Sequence, residues 1–198
     1  MGNIETLVQI ARSGQGIISF PTDTVPALAV RPDQADLIFQ AKQRSLEKPL
    51  ILMGATSEAL WPFVKGSPQE QDIWQQIAQQ YWPGALTLVL PTTAQVAQTM
   101  NPTNPSTLGI RVPNCAIAQT ILQQTGPLAT TSANLSGQAP LLTMAEIATQ
   151  FPQVTPMVSS DSQKSPSAVP STVLQWQSHG QWKILRQGAI KLELESLG

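Results

Sequence analysis

The chain has 198 residues, of which 41% are hydrophobic and 12% are charged, and its formal net charge at pH 7 is −1. This length and apolar share suit one globular domain with a continuous core, and we expect a single domain over residues 1–198. The near-zero net charge excludes a protein that coats nucleic acid through overall basicity. Cys115 is the one cysteine, so an intrachain disulfide and a cysteine-rich metal site are excluded.

The apolar runs and the N-terminal residues bear on location. No apolar run approaches the roughly 20 residues of a membrane-spanning helix, and residues 1–6 lack the apolar core of a signal peptide. A single cysteine also fits a reducing compartment. We therefore expect a cytoplasmic protein with no membrane partner.

The first half of the chain predicts alternating helices and strands, as in an α/β fold. Asn3 caps a helix that ends near Gly14, and Pro32 begins a second helix. Ser67–Glu70 is a capping box, and the helix behind it carries apolar residues at helical spacing as far as Tyr81. Short apolar runs predict buried strands at residues 16–20, 27–30 and 50–53.

The second half continues this alternation. Asn114 is expected to cap a helix that ends near Gly126, and Thr143–Glu146 is another capping box. Residues 155–170 are rich in Ser, Pro and Gln and predict a mobile loop. Further strands are predicted at residues 86–90, 108–112, 128–131, 171–174 and 182–185.

Several common catalytic motifs are missing. The sequence has no phosphate-binding loop of the Gly-x-x-x-x-Gly-Lys-Ser/Thr type and no Gly-x-Gly-x-x-Gly. His179 is the only histidine and lies in a polar Gln-Ser-His-Gly segment, which favours an exposed turn over a catalytic triad. No pattern of residues predicts a zinc site, and we predict no protein-bound metal.

Three cations lie within seven residues of one another in a chain that is poor in charge: Lys42, Arg44 and Lys48. One interpretation is a solvated loop after a helix, because cations are favoured at helix C-termini. The other is a clamp for a polyphosphate, to which Arg offers forked hydrogen bonds and Lys a point charge. Spacing alone does not decide between the two.

Arg111 and Arg186 have apolar neighbours on a predicted strand or at its end. A partly buried arginine needs a partner, which is either a protein carboxylate or a ligand anion. The scarcity of acidic residues favours the ligand.

Hydroxyl-rich turns adjoin three predicted strands, at residues 21–24, 130–134 and 170–172. Each turn alone is explained by local caps and Ser/Thr turns. Their shared position at strand ends also suits a ligand, because open α/β sheets bind ligands in crevices beside strand ends. Hydroxyls and free N–H groups there would suit a small zwitterion and phosphate oxygens.

Six short motifs follow one another along the chain. They are Phe-Pro-Thr-Asp-Thr-Val at 20–25, Lys42-x-Arg44 with Lys-Pro-Leu at 48–50, Trp-Pro-Gly-Ala-Leu-Thr at 82–87, Gly-Ile-Arg-Val-Pro at 109–113, Thr-Ser-Ala-Asn-x-Ser-Gly at 131–137, and Ser-Thr-Val at 171–173 with Leu-Arg-x-Gly at 185–188. Each motif is weak alone, whereas six in this order are very specific. Together, from about residue 10 to residue 190, they resemble YrdC-like domains of the threonylcarbamoyl-AMP synthase family.

The resemblance implies a fold and a reaction. The fold is a single-domain, twisted, open mixed sheet with flanking helices around a concave basic cavity. In the reaction, L-threonine, bicarbonate or CO2, and ATP with Mg²⁺ give threonylcarbamoyl-AMP and pyrophosphate. The product serves the threonylcarbamoyl modification of adenosine at position 37 of tRNA, so tRNA or double-stranded RNA and tRNA-modification proteins are the implied partners.

The resemblance also implies roles for particular residues. Lys42, Arg44 and Lys48 would hold the phosphates during catalysis. Ser132 and Asn134 would complete that site. The other implied contacts are Thr107 and Arg186 for the nucleotide, and Thr22, Thr24, Arg111, Thr131 and Ser171 for threonine and its surroundings.

This chain departs from the family pattern on the side implied for threonine. The family usually has an aromatic residue and then glycine where this chain has Pro26 and Ala27, and often a histidine where it has Met53. The competing hypothesis is therefore a divergent YrdC-like paralogue that binds RNA or a nucleotide without synthase activity.

Overall fold

The structure is a computed structural model that describes residues 1–158, 167–177 and 180–193. Within these residues, six α-helices flank nine strands of one sheet. The helices are α1 (Ile4–Ser13), α2 (Ala35–Lys42), α3 (Pro68–Tyr81), α4 (Val96–Met100), α5 (Ala116–Thr125) and α6 (Met144–Gln150). The strands are β1 (Ile17–Phe20), β2 (Ala27–Val30), β3 (Ile51–Met53), β4 (Leu86–Pro91), β5 (Thr107–Arg111), β6 (Leu128–Ser132), β7 (Val154–Pro156), β8 (Thr172–Gln177) and β9 (Gln181–Arg186).

The sheet is mixed, with the strand order β7-β1-β2-β6-β3-β5-β4-β8-β9. β3 pairs in parallel with β5, and β4 pairs in parallel with β8, whereas β4 and β5 run antiparallel. The central strands therefore come from distant parts of the chain, which brings residues far apart in sequence onto one face of the sheet.

One row of residues that lie side by side across the strands of the sheet forms the floor of the candidate site. Ile51 of β3 lies opposite both Thr130 and Gly109, and Val89 of β4 lies opposite both Gly109 and Gln175. Side chains in register across a sheet share a face.

The opposite face of the same strands carries the core. Leu52, Leu88 and Ile110, each one position away from that row, are fully buried in the main hydrophobic cluster. Trp74 and Ile77 of α3 belong to the same cluster. The period-two alternation of the strands thus gives one face to the core and leaves the other for a cavity.

Most predicted helix ends are confirmed by their caps. Asn3 Oδ1 accepts from Thr6 N at 2.9 Å, and α1 ends at Gly14 with φ at 70°. Both capping boxes, at Ser67 and at Thr143, are formed. The predicted cap at Asn114 is wrong, because Cys115 occupies the cap position of α5 without a side-chain hydrogen bond.

Two elements were not predicted, α4 and the edge strand β7. β7 pairs with β1 in parallel, so the loop predicted at residues 155–170 begins later than expected. The middle of that predicted loop and the turn at His179 lie outside the described residues. The second helix begins with a single 3₁₀ turn at Pro32–Gln34 before α2.

The predicted α/β class, with a mixed sheet and flanking helices, is confirmed. The extent of the domain over residues 1–198 stays a prediction. Over the part of the chain that the structure describes, none of the helices combines the length and the apolar character needed to cross a membrane.

Candidate functional site

A cavity of about 400 Å³ lies over the face of the sheet that carries the Ile51–Gly109–Val89 row. The sequence-predicted site residues that line this cavity are Thr22, Thr24, Arg44, Thr107, Arg111, Thr131, Ser132, Ser171 and Arg186. Three other predicted residues, Lys42, Lys48 and Asn134, lie outside its lining. The structure therefore brings most of the predicted residues together from six separate stretches of sequence.

Arg111 is anchored from several sides. Its side chain is 5% exposed, and Nη2 donates to Asp23 Oδ1 at 2.7 Å. Nη1 donates to Thr24 Oγ1 at 2.9 Å, and Nε donates to the carbonyl of Gly84, also at 2.9 Å. Burial lowers the pKa of Arg111 from its ordinary value, and the negative charge of Asp23 opposes that effect.

This geometry corrects the prediction that the partner of Arg111 is a ligand anion. The partner is a protein carboxylate, because the Thr-Asp-Thr turn lies beside the end of β5. Asp23 Oδ1 also accepts from the backbone N–H of Asn114 at 3.1 Å. Arg111 thus ties three segments together at the wall of the cavity.

Arg186 is held differently. Its Nε and Nη2 donate to the carbonyl of Ser171 at 3.0 and 2.8 Å, and Nη2 also reaches Ser171 Oγ at 3.2 Å. Ser171 Oγ is in turn 2.9 Å from Thr87 Oγ1. Among the described residues, Arg186 has no carboxylate partner. Its positive charge therefore remains unneutralised beside the cavity.

Arg44 shapes the loop between α2 and β3. Its Nε donates to the carbonyl of Lys48 at 2.8 Å, and its Nη2 donates to the carbonyl of Pro49 at 3.0 Å. The pKa of Arg44 is lowered, first by burial and then by the positive charge of Arg186. The two guanidinium groups therefore repel each other across the cavity, and an anion between them would relieve that repulsion.

Lys42 is fully buried at the end of α2. Its Nζ donates to the carbonyl of Ser132, to Asn134 Oδ1 at 3.1 Å and to Thr131 Oγ1 at 3.4 Å. Burial, together with the charges of Arg44 and Lys48, lowers the pKa of Lys42 to about 7. In this arrangement Lys42 positions the end of β6, and its direct contact with phosphate stays a prediction.

The segment after β6 is organised by Asn134. Its Oδ1 accepts from Ser132 Oγ at 2.5 Å, and its Nδ2 donates to the carbonyls of Leu135 and Gln138 at 2.9 and 2.7 Å. Lys48 is exposed, and its Nζ lies 3.4 Å from Ser136 Oγ. The predicted phosphate-side residues thus form one connected network, in which Ser132 faces the cavity.

The threonine hydroxyls of the first turn are used within the turn. Thr22 Oγ1 donates to the carbonyl of Val25 at 2.7 Å and accepts from Thr24 N at 3.1 Å. The local interpretation of this hydroxyl cluster therefore holds, although both side chains also line the cavity.

The three residues at which the chain departs from the family pattern, Pro26, Ala27 and Met53, all line the cavity. Ala27 and Met53 are each 4% exposed. The departures therefore lie within the candidate site, where all three residues are apolar.

Several lining residues were given no role by the sequence analysis, among them Glu47, Asn101, Gly109 and Gln175. Glu47 stands inside the Lys42–Lys48 cluster, which could have drawn attention to it. Gly109 begins the Gly-Ile-Arg-Val-Pro motif but was given no role in the site, and Asn101 and Gln175 belong to none of the motifs. Strand pairing places Gly109 and Gln175 in the floor.

The described residues contain no group of three or more His, Cys, Asp or Glu side chains suited to a metal ion. A carboxylate of the lining, that of Glu47, is available to an ion carried by an anionic ligand. Such shared coordination is usual for Mg²⁺, which binds through one or two carboxylates and substrate phosphates.

Known proteins with similar sequence or structure bear out the resemblance. Threonylcarbamoyl-AMP synthase of Vibrio campbellii is 32% identical over 155 residues, which cover 76% of this chain and 82% of that protein. Sua5 of P. abyssi in complex with L-threonine has a TM-score of 0.85 at 29% identity. That match covers 98% of this chain and 56% of the Sua5 chain, so this chain spans little more than half of that protein.

YciO of E. coli has a TM-score of 0.77 at 24% identity, over 94% of this chain and 89% of the YciO chain, and this likeness concerns the fold. A family model for the Sua5, YciO and YrdC proteins, described as "Telomere recombination", matches residues 9–188. The predicted resemblance to YrdC-like domains is confirmed, and the chain belongs to the Sua5/YciO/YrdC family.

Proposed function

We propose that this chain makes threonylcarbamoyl-AMP from L-threonine, bicarbonate or CO2, and ATP, and releases pyrophosphate. This makes it a nucleotidyltransferase that acts in the cytoplasm, in the modification of tRNA. The proposal is supported by relatives that are named threonylcarbamoyl-AMP synthase and by the likeness to Sua5 in complex with L-threonine.

The observation that carries the proposal is the arrangement of charge in the cavity. Arg44 and Arg186 line it without a carboxylate partner among the described residues, and the hydroxyl of Ser132 lies at the same surface. Guanidinium groups and hydroxyls are the donors that phosphate oxygens prefer. The pKa of Arg44 is lowered first by burial and then by the positive charge of Arg186, and a bound anion would oppose both effects.

Charge counting explains why the nucleotide would bring a cation. The charge of Arg111 is neutralised by Asp23. Glu47 adds one negative charge to the lining, which offsets part of the positive charge of Arg44 and Arg186. A triphosphate carries more negative charge than this excess neutralises. Bound Mg²⁺ would supply the remaining positive charge, with Glu47 as a carboxylate in reach of the phosphates.

The chemistry follows from positioning more than from proton transfer. The amine of threonine captures CO2, loses a proton and becomes a carbamate. A carbamate oxygen then forms a bond to the α-phosphorus, and the bond from that phosphorus to the pyrophosphate oxygen breaks. Fixed cations favour such a displacement because they stabilise charge as it moves onto the leaving group.

The residues divide between the two substrates in this scheme. Arg44, Lys48, Ser132 and Asn134 act on the phosphate side, with Lys42 as the residue that positions Ser132 and Asn134. Thr107 and Arg186 also line the cavity, and we assign them to the nucleotide. On the threonine side we place Thr22, Thr24, Arg111, Thr131 and Ser171, all in the cavity lining.

The competing function is a YrdC-like module that binds RNA or a nucleotide without turnover. The apolar surface of Pro26, Ala27 and Met53 is the observation that favours it, because it changes the side implied for threonine. The net charge of −1 and Glu47 in the lining disfavour tight RNA binding.

Pyrophosphate release separates these functions. We expect release that requires ATP, threonine and bicarbonate together and needs no RNA. Arg44→Ala should abolish most of it, whereas Arg12→Ala, an exposed arginine at the end of α1, should not. ATP binding without threonine-dependent release, or RNA binding with a steep salt dependence and no turnover, would establish the competing module instead.

A further inference from the structure

A second pocket, of about 380 Å³, shares no lining residue with the cavity over the sheet. It lies between the C-terminal half of α3 and the segment that follows β3. Its lining includes Ser57, Glu58, Trp61, Gln75, Gln79 and Trp82. The proposed reaction does not use this Trp61–Trp82 pocket.

Two indole rings form an aromatic wall in the pocket. The ring centroids of Trp61 and Trp82 are 5.8 Å apart, and the ring planes are tilted by 30°. Trp82 Nε1 donates to the carbonyl of Leu86 at 2.7 Å, which holds its ring in place. Both side chains are half-buried, so they keep aromatic surface at the pocket. The face of an indole attracts cations more strongly than that of any other side chain.

The charge of the pocket also favours a cation. Glu58 is exposed, and hydrogen bonds from its own backbone N–H and from the side chains of Thr56 and Ser57 lower its pKa. Its carboxylate is therefore charged at neutral pH, and it has no ion-pair partner among the described residues. The last turn of α3 contains no basic residue, so the partial negative charge of this helix end adds to that of Glu58.

Two carboxamides lie on the same side of α3, one helical turn apart. Gln75 is half-buried and Gln79 is exposed, and both line the pocket. Neither side chain makes a hydrogen bond with another residue in the part of the chain that the structure describes. Each carboxamide oxygen can accept an N–H bond. The pocket thus combines an aromatic face, one carboxylate and two available amide oxygens.

We infer that the Trp61–Trp82 pocket binds the guanidinium group of an arginine side chain that a partner polypeptide presents. This group is flat, carries one positive charge and has five N–H donors in a fixed fork. It can therefore stack on an indole and give paired hydrogen bonds to a carboxylate. Its remaining donors suit the oxygens of Gln75 and Gln79. An ammonium group has no flat face and no fork, so it matches fewer of these acceptors.

The openness of the pocket favours a polypeptide over a free small molecule. Small-molecule sites bury roughly 70–90% of their ligand, whereas several lining residues here are exposed, among them Thr56, Glu58, Gln79 and Pro83. A free amino acid would also bring a carboxylate, and the described lining has no cation to pair with it. Nucleic acid is disfavoured for the same reason, because its phosphates would meet the charge of Glu58.

The pocket lies next to the wall of the proposed site. Trp82 and Pro83 line it, and the carbonyl of the next residue, Gly84, accepts from Arg111 Nε at 2.9 Å. The backbone N–H of Gly84 donates to the carbonyl of Val112, a further lining residue, at 2.9 Å. A partner bound here would lie close to the cavity without occupying it. This binding does not depend on the proposed use of ATP.

NMR titrations of the nitrogen-labelled protein test the inference with two capped peptides, N-acetyl-Gly-Arg-Gly-amide and the same peptide with citrulline in place of arginine. Citrulline keeps the length and flatness of the side chain but has no charge. We expect the arginine peptide to shift the signals of the pocket residues saturably. The citrulline peptide should bind at least about tenfold more weakly, since it lacks the charged hydrogen bonds. Free L-arginine should also bind more weakly than the capped arginine peptide.

Two variants and one control assign the effect to the pocket. Glu58→Gln should weaken binding of the arginine peptide about tenfold and leave binding of the citrulline peptide unchanged. Trp61→Leu should weaken binding of the arginine peptide as well, because an aliphatic side chain offers no attraction to a cation. Glu5→Gln is the matched control, since Glu5 is an exposed glutamate in the first turn of α1, and it should bind as the wild type does.

Equal affinity for the arginine and citrulline peptides, or the absence of a saturable shift at the pocket, would overturn the inference. Wild-type affinity in both Glu58→Gln and Trp61→Leu would overturn it too, as would shifts confined to Arg44, Arg111 and their neighbours in the cavity. Tighter binding at this pocket of free L-arginine or of a single-stranded RNA oligonucleotide would rule out a polypeptide as the ligand. Failure of the protein to bind ATP would contradict the proposed function and leave this inference intact.

Discussion

Arg111 and Asp23 form a buried ion pair, in which Nη2 and Oδ1 are 2.7 Å apart and the two side chains are 5% and 14% exposed. The pair joins the first hydroxyl-rich turn to the end of β5 at the cavity wall. Its two members are 88 positions apart in the sequence, so the pair helps to fix the shape of the site.

Asp23→Ala is expected to destabilise the fold strongly. Removing one member of a buried pair leaves the other charge unpaired, which costs about 3–5 kcal/mol. The free energy of unfolding in urea measures this loss. Asp33→Ala is the matched control, because Asp33 pairs with Arg31 at 2.6 Å with both side chains well exposed. Asp33→Ala should lower the free energy of unfolding far less, since exposed ion pairs contribute little. Similar losses in both variants would show that burial does not make the Asp23–Arg111 pair more important for stability than an exposed pair.

Lys42 predicts a particular dependence of stability on pH. Its pKa is lowered from 10.5 to about 7 in the folded protein, so between these values the unfolded chain holds the proton more firmly. The contribution of Lys42 to the free energy of unfolding therefore rises as pH rises through this range. Below about pH 7 the buried side chain is charged, and its charge destabilises the folded protein most.

Comparison with Lys42→Met at about pH 7 and about pH 9 isolates this effect, because the other titrating groups are common to both proteins. The wild type should gain stability relative to the variant at the higher pH. If the difference in free energy of unfolding between the wild type and Lys42→Met stays constant or reverses between the two pH values, the hydrogen bonds to Ser132 and Asn134 keep the ammonium group charged over that range.

Arg44→Ala is expected to weaken ATP binding by about 1.5–3 kcal/mol, the usual loss for a charged hydrogen bond. Lys48→Ala should weaken binding less, because Lys48 is exposed and lies outside the cavity lining. Isothermal titration with ATP gives both values, and Arg12→Ala serves as a control away from the cavity. Unchanged affinity for ATP in both Arg44→Ala and Lys48→Ala would show that these two cations do not bind the phosphates.

Threonine is expected to bind with modest selectivity. Pro26, Ala27 and Met53 offer apolar atoms, and an apolar pocket discriminates between close analogues only about 10–200-fold. A site built to bond a hydroxyl rejects analogues that lack it by factors on the order of 10⁴. Titration with threonine, serine and alanine in the presence of an ATP analogue distinguishes the two cases. Strict selection of threonine would show that Met53 and its neighbours do not govern recognition.

Local sequence signals predicted most of the fold. Short apolar runs located eight of the nine described strands, and capping chemistry at Asn3, Ser67 and Thr143 located three helix starts. The cap at Asn114 failed because α5 begins one residue later, with Cys115 at the cap position, while the backbone N–H of Asn114 donates to Asp23 Oδ1. β7 was missed because its three residues lie beside Ser- and Pro-rich sequence, and its partner β1 is distant in the chain.

The candidate site was predicted less completely, for a physical reason. Motifs identify residues such as Arg44 and Ser132, whereas the partner of a buried group depends on which distant segments the fold brings together. Arg111 meets Asp23, and Gly109 and Gln175 reach one row, only through strand pairing. Local sequence patterns do not indicate which distant strands pair with one another.

The structure of the protein with a non-hydrolysable ATP analogue and L-threonine tests the account most directly. We expect the phosphates between Arg44 and Ser132 and threonine toward Met53 and Arg111, all in the cavity over Gly109. A nucleotide bound at another surface, with this cavity unchanged, would contradict the account.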